Sequence, residues 1–556
     1  MRINVIITVV NQKIGREMKL IAQSENIENI VDKDSIYVDK TEYIYNLTKQ
    51  YERVFFSRPR RFGKSLTLNT IGTLFEKGVD PYFKGTWIYD KWDQDKYPVL
   101  HLSFLEYSAT DLDAFKKSLC QPIRDFARLN GITDYADDVE PNNLIRNIFT
   151  VMQDKMQIVL LIDEYDRQLT ANINNPEIYE KFRVCLRDFY GAIKGKKQIK
   201  FMAVTGVTRL KDVSIFSVGS DINDLSYEYV YSNMIGFTRE EIKKFYMDYL
   251  KLGVSYENNK SLDSVTDSEI ENLLDRMAEH YDSYCFDKKF RNKVFSTYSV
   301  NNFLLNIASD KEVYFGDYWY DVGGLPSILM NYMESHNLNI ENLLKSEIEI
   351  PYNDFVNPTS LIDINENVLM CQTGYLTLKS EIVPGYTVTL GTANREVKSA
   401  LFMLLGLRIF DTTTPAFSLK NRYVIETGSV DEIISLFNEV LAALSYDKYP
   451  VKDEPVLRSL LQVYLIGKNH DVRVEQNNSK GRSDIIVNFP KRRVVLELKY
   501  TDKVSSEKAK LSEAEKQIKE KGYGLENLGD RELIQIACVF NGDKNKRQIT
   551  MYKKVE

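Results

Sequence analysis

The chain of 556 residues is poor in the residues from which many metal and nucleophile sites are made, with five cysteines and four histidines. Cys120, Cys185, Cys285, Cys371 and Cys538 are scattered and never closely paired. That pattern argues against a zinc site and fits a reducing, cytoplasmic setting. His101, His280, His336 and His470 are equally dispersed, which leaves little material for serine-histidine or histidine-metal chemistry. Long apolar runs are also missing. Ile3–Val10 is apolar but too short to span a bilayer, and it lacks the basic start and small-residue cleavage site of a signal peptide. Residues 1–20 therefore read as an N-terminal extension, with Met18 an alternative start, and no membrane partner is expected.

A basic net charge is absent too: the chain carries −6. The charge is uneven, however. Residues 451–556 hold 22 Lys and Arg against 16 Asp and Glu, a local +6 that leaves −12 on the first 450 residues. A basic end on an acidic body is compatible with a nucleic-acid-handling C-terminal domain, and equally with a lysine-rich helix surface. Hydrophobic residues at 43% and charged residues at 27% give the balance of a soluble protein, at a length that calls for several domains.

Up to about residue 235, apolar runs alternate with amphipathic stretches, as in a mostly parallel sheet covered by helices. Strands are expected at Val54–Phe56, Pro98–Phe104, Ile158–Ile162 and Phe201–Gly206, with a helix from Ser65 onward. Thr238 and Glu241 form a capping box that opens a helix after a boundary near Gly236. From 236 to 400 the pattern is mainly helical, as a lid or winged helix would be. A helix with Ser429 as N-cap marks a connector over 401–450, and 451–556 returns to mixed strand and helix.

The segment Arg58-Pro59-Arg60-Arg61-Phe62-Gly63-Lys64-Ser65 matches the Walker A rule at Gly63, Lys64 and Ser65, with Arg58 in place of the first glycine. It follows an expected strand and opens an expected helix. There, backbone N–H groups and the helix N-terminus face one anion. Arg58, Arg60 and Arg61 add positive charge that suits a triphosphate. Ile158–Ile162 then runs into Asp163 and Glu164. A buried strand ending in two carboxylates fits Mg²⁺-ATP hydrolysis, with Ser65 and Asp163 serving the cation and Glu164 polarising the attacking water. Thr205 reads equally as a γ-phosphate sensor and as a strand-end threonine. Arg209 is placed facing solvent in preference to phosphate.

Near the other end, Ser483-Asp484-Ile485-Ile486-Val487 and Arg493-Val494-Val495-Leu496-Glu497-Leu498-Lys499 read as two strands joined by a turn at 488–492. Period-two alternation puts Glu497 and Lys499 on one face, and close pairing brings Asp484 opposite Glu497. Two carboxylates could then share a hard cation while the lysine orients or deprotonates a water. The alternative is a surface hairpin with a cross-strand ion pair. Glu454 is a further acid of the site or a helix-start charge, and Glu475 is a candidate on similar grounds.

These motifs carry a family resemblance. Residues 36–44 (Ile-Tyr-Val-Asp-Lys-Thr-Glu-Tyr-Ile), the loop Arg58–Ser65, Leu161-Ile-Asp-Glu-Tyr-Asp166, and Thr205-Gly-Val207 through Val213-Ser-Ile-Phe216 resemble the AAA-ATPase-like family. Its members commonly end in a PD-(D/E)XK nuclease domain, which Asp484, Glu497 and Lys499 resemble. Gly236-Phe-Thr238, Gln372-Thr-Gly-Tyr375 and Asn394-Arg-Glu-Val397 resemble its middle segments. The resemblance shares Arg58, but Arg167 and Gln168 stand where Lys and Pro are usual. It implies that Gln517, on a basic helix with Lys516, Lys519 and Lys521, faces the nuclease site.

The expected fold is α/β: a P-loop NTPase domain over 21–235, a helical lid or winged-helix region over 236–400, the connector, and a nuclease-like domain over 451–556. The expected function is ATP hydrolysis coupled to a Mg²⁺-dependent nuclease acting on nucleic acid, DNA first, with a homo-oligomer compatible. The competing reading is a nucleotide-switched protein that grips nucleic acid or a partner without cutting.

Overall fold

The computed structural model describes residues 18–555 apart from 154, 211–220, 322–326, 337–339, 359, 413–420, 422, 469, 475, 476, 479, 480 and 483. The chain divides into two compact units. The first comprises the residues up to Leu338 with Ser346–Val397, and the second Asn339–Lys345 with Lys398–Glu556.

The first unit is organised by a five-stranded parallel sheet. Its strands are β1 (Arg53–Ser57), β2 (Val99–Ser103), β3 (Ile158–Asp163), β4 (Ile199–Gly206) and β5 (Asn223–Asp224), in the order β2-β3-β4-β1-β5. β1 and β3 are buried along their whole length, which is why they read as continuous apolar runs without alternation. Around the sheet lie α1 (Thr41–Gln50), α2 (Lys64–Lys77), α3 (Leu112–Leu129), α4 (Pro141–Met152) and α5 (Pro176–Ile193). The chain leaves β1, crosses β4 and β3, and returns at the edge as β2. The carboxyl ends of β1, β3 and β4 thus share one rim beside a switch in strand order, the usual place for a ligand crevice.

After the sheet come α6 (Arg239–Phe245), α7 (Met247–Asn258), α8 (Asp267–Tyr281) and α9 (Thr297–Asp310). The capping box at α6 is present in full: Thr238 accepts from the Glu241 N–H, and Glu241 accepts from the Thr238 N–H. Glu241 also pairs with buried Lys40 at 2.6 Å, fastening α6 to the segment before α1. The helical expectation for 236–400 passed over a small antiparallel sheet. It consists of β6 (Ile348–Pro351), β7 (Leu376–Leu378) and β8 (Thr387–Thr392), ordered β6-β8-β7, with α10 (Glu366–Thr373) preceding β7. Strands of three to six residues are too short to impose a period on the sequence.

The second unit opens with helices that include α11 (Val430–Ala442), capped by Ser429, and α12 (Glu454–Gly467), capped by Asp453. Its sheet contains β9 (Asp471–Val474), β10 (Ile485–Asn488), β11 (Arg492–Thr501), β12 (Glu532–Asn541) and β13 (Gln548–Val555), in sequential order. Every neighbour is antiparallel except β11 and β12, which are parallel and joined through α13 (Glu507–Lys521). A parallel pair needs such a crossover. α13 buries Ala514 and Ile518 against Ile486, Val495 and Ala537. Among the described residues, no helix is long and apolar enough to cross a membrane.

Close packing at the end of β4 yields a stability test. A Cβ at Gly206 would meet the Tyr165 ring at 2.5 Å and an Asp166 carboxylate oxygen at 2.8 Å, and both residues are fully buried. Gly206→Ala is expected to destabilise the first unit by about 1–3 kcal/mol. All three tryptophans, Trp87, Trp92 and Trp319, lie in that unit. Urea unfolding followed by tryptophan fluorescence therefore isolates the effect, and an unchanged midpoint would contradict the packing.

Candidate active sites

At the rim of the first sheet, β1 delivers the chain into the loop 58–63 and α2 begins at Lys64. Arg61 and Gly63 turn the loop with φ of 70° and 98°. A Cβ at Gly63 would meet nothing, so backbone conformation and not crowding favours glycine there. Lys64 is buried, and its ammonium donates to the carbonyls of Arg58 and Pro59 at 3.1 Å each, folded back over the loop it belongs to. Ser65 is half-buried at the first turn of α2, beside the free N–H groups of the helix start.

Asp163 ends β3, buried, and accepts the Thr205 hydroxyl at 2.5 Å. Thr205 thus stands near the end of β4 with its hydroxyl committed to Asp163. Glu164 follows with φ of 53°, a left-handed backbone unusual for a residue with a side chain and frequent where a site holds strain. Asp166, to which sequence reading gave no role, binds the N–H of Val207 and both the N–H and hydroxyl of Thr208, pinning the chain as it leaves β4.

Two cavities open at this rim. One, of about 510 Å³, is lined by Arg60, Arg61, Gly63, Lys64, Ser65 and Glu164 on its polar side and by Tyr37, Ile235, Phe237 and Tyr298 on its apolar side. The other, of about 1130 Å³, reaches Ser65, Asp163 and Glu164 from the side of α3. Glu25 lines both and went unnoticed in the sequence because no motif contains it. Burial, then the charge of Asp163, raises its carboxyl pKa, while Lys64 pulls the other way.

The three loop arginines diverge. Arg60 lines the cavity with no ion pair among the described residues. Arg61 also lines it, but its guanidinium donates to the carbonyls of Tyr318 and Trp319. Arg58 is not brought to the cavity. It is buried, donates to the Ser57 and Ser226 carbonyls, and lies 4.2 Å over the Phe286 ring. Burial pushes its pKa down to about 10, so it remains charged. Arg209 faces neither phosphate nor solvent: it is paired with Asp224 at 2.7 Å. Gln168 is buried with its amide donating to the Phe104 carbonyl, and Arg167 is half-buried.

In the second unit, β10 and β11 pair with Ile485 opposite Leu496. That register, carried one residue beyond the end of β10, brings Asp484 to the level of Glu497. Asp484 accepts the Leu498 N–H at 2.8 Å and pairs with Arg458 at 3.1 Å. Glu497 and Lys499 are each 4% exposed, inside a central strand. Lys499 contacts Glu497 at 3.0 Å and Glu454 at 3.6 Å. Glu454 is the first residue of α12, the helix-start position that one of its two sequence readings gave it. Arg458 was missed by sequence reading; its only signal is the four-residue spacing from Glu454, which places both on one face of α12. Gln517 is half-buried on α13, its carbonyl oxygen enclosed without a donor. Glu475 lies outside the described residues.

Both parts of this geometry have counterparts elsewhere. Residues 23–216 match the family described as Predicted AAA-ATPase, and residues 452–549 match the PD-(D/E)XK nuclease superfamily. The chain carries an AAA-ATPase-like domain and a PD-(D/E)XK nuclease superfamily domain. It is also similar to a protein of Azotobacter chroococcum mcd 1 described as an uncharacterized protein in the vnfD 5' region. The two are 27% identical over 514 residues, spanning 88% of this chain and 90% of that protein.

The nuclease-like site fits a divalent cation. The second carboxylate oxygen of Glu497 is buried with no hydrogen-bond partner, an arrangement a cation would satisfy. Among the described residues, no three His, Cys, Asp or Glu side chains converge into a ready-made cage. Mg²⁺ does not need one, since it usually keeps several waters and takes one or two carboxylates. Burial, then Asp484, pushes the Glu497 carboxyl up to about 7, with Lys499 opposing. For Lys499, burial disfavours the ammonium, but Glu497, Glu454 and Asp484 outweigh it and the pKa rises. The lysine is therefore a standing positive charge at neutral pH and a poor proton acceptor.

A raised carboxyl keeps its proton until the pH passes the raised value, and a cation must displace that proton. Mg²⁺ affinity at this site is expected to rise by roughly tenfold from about pH 6 to about pH 8, then level off. Calorimetric titration of the wild type and Glu497→Gln measures this. Equal affinities across that range, or a variant that binds as tightly as the wild type, would contradict it.

Proposed function

We propose that this chain hydrolyses ATP with Mg²⁺ at the 58–65 loop and uses that cycle to control a Mg²⁺-dependent nuclease that hydrolyses phosphodiester bonds, DNA being the expected substrate. The observation that carries the reading is the lone carboxylate oxygen of Glu497, buried beside Lys499 and Asp484 in a chain that also holds a phosphate loop. In this reading 21–235 is the nucleotide domain, 236–400 its lid or winged-helix region, 401–450 a connector and 451–556 the nuclease domain, at work in the cytoplasm.

Gly63, Lys64, Ser65 and the N-terminus of α2 hold the phosphates, and Lys64 exchanges its two carbonyl partners for phosphate oxygens. Arg60 meets the same charge from the cavity wall. Ser65 and Asp163 serve the cation, Thr205 holds Asp163 in place, and Glu164 polarises the attacking water. At the other site, Asp484 and Glu497 would hold a cation, which supplies Lewis acidity and a more acidic water when bound. Lys499 orients the water and stabilises negative charge developing on phosphate. Glu454 fixes Lys499 from α12, and Gln517 offers an acceptor from α13.

The test compares wild type, Lys64→Ala and Lys499→Ala for phosphate release and for cleavage of plasmid and single-stranded DNA with Mg²⁺. Lys64→Ala is expected to lose phosphate release by about a hundredfold or more and to lose any response of cleavage to ATP. Lys499→Ala is expected to lose cleavage by about a hundredfold while still releasing phosphate. Retained cleavage in Lys499→Ala would remove the nuclease site, and retained phosphate release in Lys64→Ala the nucleotide site.

A further inference from the structure

Outside the residues assigned to either site, the first unit carries another charged surface. Residues 287–293 read Asp-Lys-Lys-Phe-Arg-Asn-Lys, four cations in seven positions. The loop is held from beneath. Asp287 is wholly buried, and its carboxylate accepts the N–H groups of Lys289 at 2.8 Å, Arg291 at 2.8 Å and Asn292 at 3.1 Å. The Asn292 amide donates to the Ser232 hydroxyl, and the Lys288 carbonyl accepts the Ile382 N–H from the turn between β7 and β8. This framework depends on Asp287 and the main chain. It does not require that positions 288, 289, 291 and 293 be basic.

The cations themselves point outward. Lys288, Lys289, Arg291 and Lys293 are exposed; Lys288 is ion-paired with Glu228 at 2.6 Å, and Lys293 lies close enough to Asp282 to oppose the burial that raises its carboxyl pKa. Lys289 and Arg291 lie over the Tyr229 ring at 5.3 and 5.7 Å, and Lys293 over Phe290 at 4.9 Å. Half-buried Lys379 stands close enough to feel Lys293: burial first, then that neighbouring charge, lowers its pKa, with Glu347 opposing. Positive charge in excess of its acidic neighbours, on a hydrogen-bonded loop interleaved with aromatic rings, is suited to a polyanion that also offers planar faces. A membrane surface fits less well, because no exposed apolar side chain lies within the loop to enter lipid.

We infer that the 287–293 loop, with Lys379 at its side, is a docking surface for the phosphate backbone of nucleic acid, separate from the nuclease domain and carried by the nucleotide-binding unit. The inference rests on nucleic acid being the substrate. Binding there is electrostatic and independent of sequence, because lysine and an unpaired arginine contact phosphate without reading bases. The surface adjoins the nucleotide site through the chain itself: Phe286, immediately before Asp287, is the ring under Arg58 of the phosphate loop.

The experiment uses the full chain in EDTA, with a fluorescently labelled random-sequence DNA duplex as the probe and anisotropy as the readout across a salt series. Lys289→Glu/Arg291→Glu/Lys293→Glu is compared with wild type and with Lys516→Glu/Lys519→Glu on α13. The loop variant is expected to bind about tenfold more weakly or worse, and to lose about 2–3 from the slope of log affinity against log salt. Should charge reversal impair folding, the glutamine variant at the same three positions reads the same quantities, with the slope again reduced. A loop variant that keeps wild-type affinity and slope while the α13 variant loses both overturns this inference and leaves the nuclease reading standing. A wild type that binds no duplex at all overturns both.

Discussion

Burying ionic groups inside a sheet is the constraint on which the nuclease-like unit turns. β11 is a central strand covered on both faces, yet it carries Glu497 and Lys499 into the interior. Glutamate and lysine are almost never so buried unless paired, and an uncompensated buried charge costs several kcal/mol. Here the compensation is incomplete. Among the described residues, Asp484, Glu497 and Glu454 bring three negative charges against Lys499 and Arg458. The group is one positive charge short, and the deficit falls on Glu497, whose second oxygen has no donor. Two things can fill it: a proton, which is what a carboxyl raised to about 7 expresses, or a cation. The same feature that makes the strand costly suits it to a cation.

The nucleotide site meets a related difficulty differently. A phosphate loop must keep several backbone N–H groups turned toward one point, a shape with little to stabilise it until an anion arrives. The side chains around the turn supply that support from behind. Arg58 is anchored under the sheet on Ser226 and Phe286, Arg61 on the carbonyls of 318 and 319, and Phe62 packs edge-on against Tyr284, Phe286 and Trp319. Lys64 lies on the loop carbonyls and is ready to exchange them. The arginine that replaces the first glycine is thus part of the scaffold of the loop, and its positive charge is spent inward.

Much of this was legible in the residues. The four long strands of the first sheet, α2, the capping box at Thr238 and the β10–β11 hairpin all announce themselves through period or caps, because each is long or chemically marked. The approach of Asp484 to the strand of Glu497 was expected only on condition that the hairpin pairs closely, and the register from Ile485 onward meets that condition. What could not be read was direction. Arg58, Arg60 and Arg61 look alike in a string, and only the fold sends one inward, one into the cavity and one to a neighbouring carbonyl pair. Arg209 was misplaced for the same reason, since its partner Asp224, on β5, lies fifteen residues away. Glu25 and Asp166 act through contacts that no local spacing encodes, Arg458 is signalled only by its spacing from Glu454, and the short strands β6 to β8 carry too few residues for a period.

The central claim is that Asp484 and Glu497 together form a cation site. The most direct measurement is anomalous scattering from crystals soaked in Mn²⁺. A peak between the carboxylates of Asp484 and Glu497, lost in Glu497→Gln crystals soaked alike, is the predicted result. Density showing Lys499 and Glu497 paired as before, with no anomalous signal at that position while Mn²⁺ appears elsewhere on the protein, would contradict it.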